Sequence, residues 1–101
     1  MNYLMAVQLK PKHPQQSKNG DLIDSSIDII EQSGLTHFVG PMETTVEGTL
    51  DELMNLVKKL NSHLEDGGVS ESETSIKLVQ SNDSLEIRNI LSDYYEFDEE
   101  E

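Results

Sequence analysis

Hydrophobic and polar positions follow several distinct rhythms along this chain, and each rhythm predicts an element. Tyr3-Leu4-Met5-Ala6-Val7-Gln8-Leu9 is nearly all apolar, the pattern of a strand covered on at least one face and central in its sheet. The Lys10–Gly20 segment ends it, because Pro11 and Pro14 interrupt a ladder. From Asp21 onward Ile23, Ile27 and Ile30 recur at helical spacing, with Leu22 and Ile29 widening the stripe and Gly34 at a C-cap position. Thr36-His37-Phe38-Val39 reads as a short second strand stopped by Gly40-Pro41, with Phe38 as a core residue. Glu43-Thr44-Thr45-Val46-Glu47 reads as a third, rich in strand-favouring residues. Thr49 and Glu52 have capping-box spacing, and Leu53, Val57, Leu60 and Leu64 continue from them as one helical stripe closed by Gly67-Gly68. Thr74, Ile76 and Leu78 then alternate with Ser75, Lys77 and Val79 in a fourth strand. Asp83 and Glu86 repeat the capping spacing ahead of Leu85, Ile87, Ile90, Leu91 and Tyr94, predicting a short third helix.

Strand, helix, strand, strand, helix, strand is the order of an α+β ferredoxin-like βαββαβ sandwich, here with a short additional C-terminal helix. The expected domain spans residues 1–92, followed by an acidic tail at 93–101 that has little to bury. The first and third strands are expected at the centre of the sheet and both main helices on one face. Tyr3, Met5, Val7 and Leu9 point one way along the first strand and Leu4 and Ala6 the other. Apolar residues on both parities predict that the face without helices meets the third helix or another subunit, so a homo-oligomer is expected.

Charge narrows the partners. The chain has 101 residues and a formal charge of -13, from 20 acidic and 7 basic side chains. Nucleic-acid backbone is therefore disfavoured, and cationic ligands or a basic partner fit better. Cysteine is absent, which removes disulfides, thiolate catalysis and metal-thiolate sites. The Tyr3–Leu9 run is too short to span a membrane and lacks a basic leader and cleavage pattern. A cytoplasmic protein with no membrane contact is expected.

The chemistry concentrates in Gly40-Pro41-Met42-Glu43-Thr44-Thr45-Val46-Glu47-Gly48. Strand parity groups Glu43, Thr45 and Glu47 as a polar face. Tyr3 is a further aromatic that either packs in the core or stacks on a heteroaromatic ring. His13, His37 and His63 share no metal-ligand spacing, so no metal site is expected. No serine sits in a nucleophile elbow. Glu43 and Glu47 stand about 13 Å apart along a strand, too far to act directly on one bond, so no catalytic residue and no enzyme is expected.

Val7-Gln8-Leu9-Lys10-Pro11, Ser33-Gly34-Leu35, the Gly40–Gly48 segment and Asp51-Glu52-Leu53-Met54 resemble the small thiamine-binding proteins once grouped as an uncharacterised conserved family. The resemblance runs from roughly Tyr3 to Val79. It implies a ferredoxin-like domain assembled as a homodimer or homotetramer. It also implies binding of thiamine or its pyrimidine portion, with no catalytic cofactor. Thr44 to Gly48 correspond to the family's Thr-x-x-Glu-Gly strand end. This chain has Glu43 where relatives commonly have glycine, and Lys12, His13, Pro14 and Lys18 in a first loop that is usually rich in glycine, serine and threonine. The resemblance assigns no ligand contact to each residue; for such a ligand, Glu47 is expected to attract the thiazolium or accept from the exocyclic amine and Glu43 to enlarge the negative field, with Thr45 on their face and Tyr3 either stacking or packing in the core or an interface. The expected function is non-catalytic binding of thiamine or a related cationic heterocycle, as carrier, buffer or sensor. The alternative is an oligomeric regulatory or scaffolding protein without a dedicated small-molecule ligand.

Overall fold

The computed structural model describes residues 2–82. Their order is β1 (Asn2–Lys12), α1 (Lys18–Gln32), β2 (His37–Val39), β3 (Thr44–Gly48), α2 (Leu50–Asp66) and β4 (Glu71–Ser81). All strand pairs are antiparallel, in the sheet order β2-β3-β1-β4. This is the ferredoxin-like α+β sandwich that the rhythms predict, with β1 and β3 at its centre. The expected third helix from Asp83 and the acidic tail at 93–101 lie outside the described residues.

The register decides which side chains meet the helices. Met5 faces Val46 and Val7 faces Thr44, and all four are buried. Met5, Val46, Leu53 and Leu60 form the centre of the core, with Ile30, Leu56 and Val7 around them. Burying each such aliphatic side chain contributes about 1.5–3 kcal/mol, an upper estimate for a chain that is not fully extended when unfolded. Leu4, Ala6, Thr45 and Glu47 have the opposite parity and belong to the other face.

α2 begins where the capping box places it. Glu52 N donates to Thr49 Oγ1 at 3.2 Å, and Thr49 N donates to Glu52 Oε1 at 2.9 Å, so two otherwise orphaned amides are satisfied reciprocally. Its buried stripe is Leu53, Leu56, Leu60 and Leu64. The expected Val57 is only partly buried. Leu56 takes the interior place because its flank of the helix looks toward Ser33 and Leu35, just beyond α1.

α1 starts at Lys18, ahead of the expected Asp21, and is followed by Gly34 at φ 77°, the left-handed conformation that glycine adopts without steric cost. It buries Leu22, Ser26 and Ile30. Ser26 Oγ donates to Leu22 O at 2.7 Å, which satisfies a hydroxyl deep in the interior. Ile23 is 38% exposed despite its place in the predicted stripe. A hydrogen bond of 2.6 Å between Ser25 Oγ and His63 Nε2 links α1 to the end of α2.

Two strands run further than expected. β1 continues through Pro11 to Lys12, paired only with β4 beyond Val7. A strand segment with one neighbour is where a ladder tolerates proline. β4 matches β1 residue for residue, from Glu71 opposite Lys12 to Ser81 opposite Asn2. Phe38, expected in the core, lies opposite Thr45 on the sheet face without helices and is 37% exposed. In so short an edge strand, alternation puts His37 and Val39 on the helix side and leaves Phe38 on the other.

Candidate functional site

β3 runs between two clefts, one at each end. At its start, the β2–β3 turn is closed by Gly40 N donating to Glu43 O at 3.0 Å. A Cβ at Gly40 would lie 2.9 Å from that same oxygen, so the turn needs the bare backbone of glycine. The turn leans toward α1 and encloses a cleft of about 260 Å³. Ile23, Ile27, Val39 and Met42 supply apolar walls, and Glu43, Thr44 and Ser26 the polar groups. This explains why α1 carries more isoleucines than its buried stripe uses: Ile23 and Ile27 line a cleft rather than the core.

At the other end, Tyr3, Gly34, Leu35, Thr36, Glu47, Gly48, Thr49 and Glu52 surround a cleft of about 280 Å³. Tyr3 is the cross-strand partner of Gly48, so the phenol ring stands beside a position with no side chain. A Cβ at Gly48 would meet Glu52 Oε1 at 3.1 Å and Leu35 Cδ2 at 3.5 Å. The glycine therefore forms a floor bounded by one carboxylate and one aliphatic wall. Glu47 N donates to Thr36 O at 2.9 Å, which holds the strand end against the β2 approach. Glu47 pairs with Leu4, so by parity it borders the cleft from the other side of the strand.

The four residues singled out from the sequence are thus divided. Tyr3 and Glu47 border one cleft, Glu43 borders the other, and Thr45 lines neither. Thr45 sits between Ala6 and Phe38 on the face without helices. Glu43 precedes the first residue of β3, so strand parity does not group it with Thr45 and Glu47. Glu52 lines the Tyr3 cleft and is the residue that sequence reasoning missed there. Its capping role was legible, yet that same reach back to Thr49 N is what brings the carboxylate over Gly48.

The lining of the Tyr3 cleft includes Glu47, Glu52 and an aromatic ring, and no lysine, arginine or histidine. Such a set favours a cation with a flat face, through charge pairing and through attraction to the ring. Both clefts lie just below the range of about 300–1,000 Å³ usual for drug-sized ligands. His13 and His37 are engaged locally. His13 Nδ1 accepts from Gln15 N at 2.9 Å, and His37 Nδ1 lies 2.9 Å from Leu35 O. Among the described residues, no group of histidine and carboxylate side chains is placed to hold a metal ion. No helix among them is long and apolar enough to cross a membrane.

Known proteins share this fold. A UPF0045 protein of Clostridium perfringens is 40% identical over 55 residues, a stretch covering 54% of this chain and 57% of that protein. The chain thus spans less than two thirds of that relative. A Bacillus cereus domain of unknown function, DUF77, superposes with a TM-score of 0.85 at 30% identity, covering 95% of this chain and 92% of its own. A Thermotoga maritima protein with a suggested place in thiamine biosynthesis or salvage gives a TM-score of 0.82 at 25% identity, covering 94% and 100%. Residues 5–91 match a family described as thiamine-binding protein, named for binding and not for a reaction. With most of its length matched, this chain belongs to the thiamine-binding protein family.

Proposed function

We propose that this protein binds thiamine or a related cationic heterocycle without transforming it, as a carrier, buffer or sensor, and that the cleft beside Tyr3 receives the ligand. The observation that carries this reading is the convergence of Tyr3, Glu47 and Glu52 from three separate elements around the bare floor of Gly48. Thiamine joins an aminopyrimidine to a permanently charged thiazolium. The two carboxylates attract the cation, the tyrosine ring offers it a face, and an acceptor oxygen suits the exocyclic amine. Family membership supports the same ligand class. Self-association as a homodimer or homotetramer and a cytoplasmic setting complete the proposal.

Isothermal titration with thiamine, its phosphates and its pyrimidine fragment tests it. Saturable binding of thiamine, weakened by Glu47→Gln and by added salt, is the expected result. Phosphorylated forms are expected to bind less well, since the cleft lining holds no cationic side chain. Absence of heat across the whole panel would instead support a regulatory or scaffolding protein with no dedicated small-molecule ligand.

A further inference from the structure

Thr44 buries a hydroxyl with nothing to bond. The residue lies on the helix side of β3, opposite Val7 and Val39, and is 7% exposed. Among the described residues its hydroxyl has no hydrogen-bond partner. A buried polar group left unpaired costs free energy, so its retention in a native fold points to a partner from outside. Thr44 lines the cleft between α1 and the β2–β3 turn, and so does Ser26. Ser26, wholly buried, gives its proton to Leu22 O and keeps oxygen lone pairs for an incoming donor. Glu43 adds a carboxylate, and the lining holds no lysine, arginine or histidine.

The rest of this cleft is aliphatic. Ile23, Val39 and Met42 are large apolar side chains left exposed, Met42 at 72%, and all three border it. Apolar side chains gathered around one groove mark a binding surface, whereas scattered ones do not. Its volume of about 260 Å³ exceeds that of an apolar cavity of about 150 Å³ able to hold benzene. We propose that this cleft is a second binding site, for a compact aliphatic primary amine in its ammonium form. The three N–H donors of the ammonium meet Thr44 Oγ1, Ser26 Oγ and the Glu43 carboxylate, and the aliphatic body lies against Ile23, Ile27 and Met42.

The two clefts differ in what they offer a cation. The Tyr3 cleft presents a ring to a flat, charged face, whereas the lining beside α1 contains no aromatic residue and only branched or flexible aliphatic walls. A net charge of -13 draws cations toward both, so shape and donor number set the preference. An alcohol of the same outline brings one donor and no charge, which leaves acceptors unmatched. This site goes beyond the thiamine reading and does not depend on it.

The full chain, labelled at its isoleucine methyl groups, is titrated with cyclohexylmethylamine at neutral pH and followed by nuclear magnetic resonance. Ile23 and Ile27 line the cleft, whereas Ile29 and Ile76 lie elsewhere and serve as internal references. Saturable shifts at Ile23 and Ile27 are expected, with the references unmoved and cyclohexylmethanol binding about tenfold more weakly. Thr44→Val is expected to weaken the amine about tenfold and to raise the urea midpoint, because an unpaired buried hydroxyl is removed. Glu43→Gln is expected to weaken it about threefold, as suits an exposed charge. Absence of saturable shifts, or equal binding of amine and alcohol, would overturn the site. So would a lowered urea midpoint in Thr44→Val, since the hydroxyl would then have a structural partner. Thiamine added to the amine-saturated protein is expected to leave Ile23 and Ile27 unmoved, and displacement of the amine by thiamine would overturn the separation of the two sites. A protein that binds the amine but not thiamine would refute the thiamine reading alone.

Discussion

Glu52 performs two tasks that a pair of substitutions separates. Its Oε1 accepts from Thr49 N at 2.9 Å, closing the capping box of α2, and the same atom lies 3.1 Å from where a Cβ on Gly48 would stand, at the floor of the Tyr3 cleft. Glutamine in this position of a capping box reaches back to the cap amide as glutamate does. Glu52→Gln therefore keeps the hydrogen bond and removes the charge. The charge near a helix N-terminus is worth about 0.3–1 kcal/mol, and Asp51 remains in the same turn, so the stability loss is expected at about 0.5 kcal/mol. Glu52→Ala loses both charge and hydrogen bond and is expected to cost about 1–1.5 kcal/mol. Urea unfolding followed by circular dichroism measures the difference, with unchanged m-values showing that stability alone has moved. Binding is expected to follow charge, not cap. Both variants lose one partly solvated charge facing the cation, worth about 1 kcal/mol or roughly fivefold in Kd. If thiamine binds wild type and Glu52→Gln equally well, Glu52 has no part in the cleft's field. If Glu52→Gln is as destabilised as Glu52→Ala, the reciprocal cap is not what holds the start of α2.

Two further substitutions probe the floor of the cleft and the core. Gly48→Val inserts a branched side chain where even a Cβ would touch Glu52 and Leu35, so titration is expected to show thiamine binding lost while far-ultraviolet circular dichroism keeps the native signal. Leu60→Ala empties a fully buried position between α2 and the sheet and is expected to cost about 2–5 kcal/mol, read as a lowered urea midpoint.

Much of the architecture was written locally. Thr49 and Glu52 announce the start of α2 because a capping box needs only residues three apart, and Gly34 announces the end of α1 because its left-handed backbone is a property of one residue. Leu53, Leu60 and Leu64 reveal a buried face through helical periodicity alone. The unbroken apolar run of β1 likewise marks a central strand, since residues of both parities must find cover. These signals suffice for the order of elements and for the sandwich they build.

The site was not written that way. Tyr3 and Gly48 become neighbours only through the register of β1 against β3, and Glu52 joins them only because its cap folds the side chain back over the strand end. Strand periodicity placed Glu43, Thr45 and Glu47 on one face, but β3 begins after Glu43, and the two carboxylates finished at opposite ends of it. Local spacing also could not tell Leu56 from Val57, or core isoleucines from those lining a cleft, because that choice depends on what another element covers. The sequence by itself determined which segments are helix or strand and which termini are capped, since those energies arise between residues a few positions apart. The tertiary structure alone decided which side chains share a cavity, since that follows from pairing between distant segments.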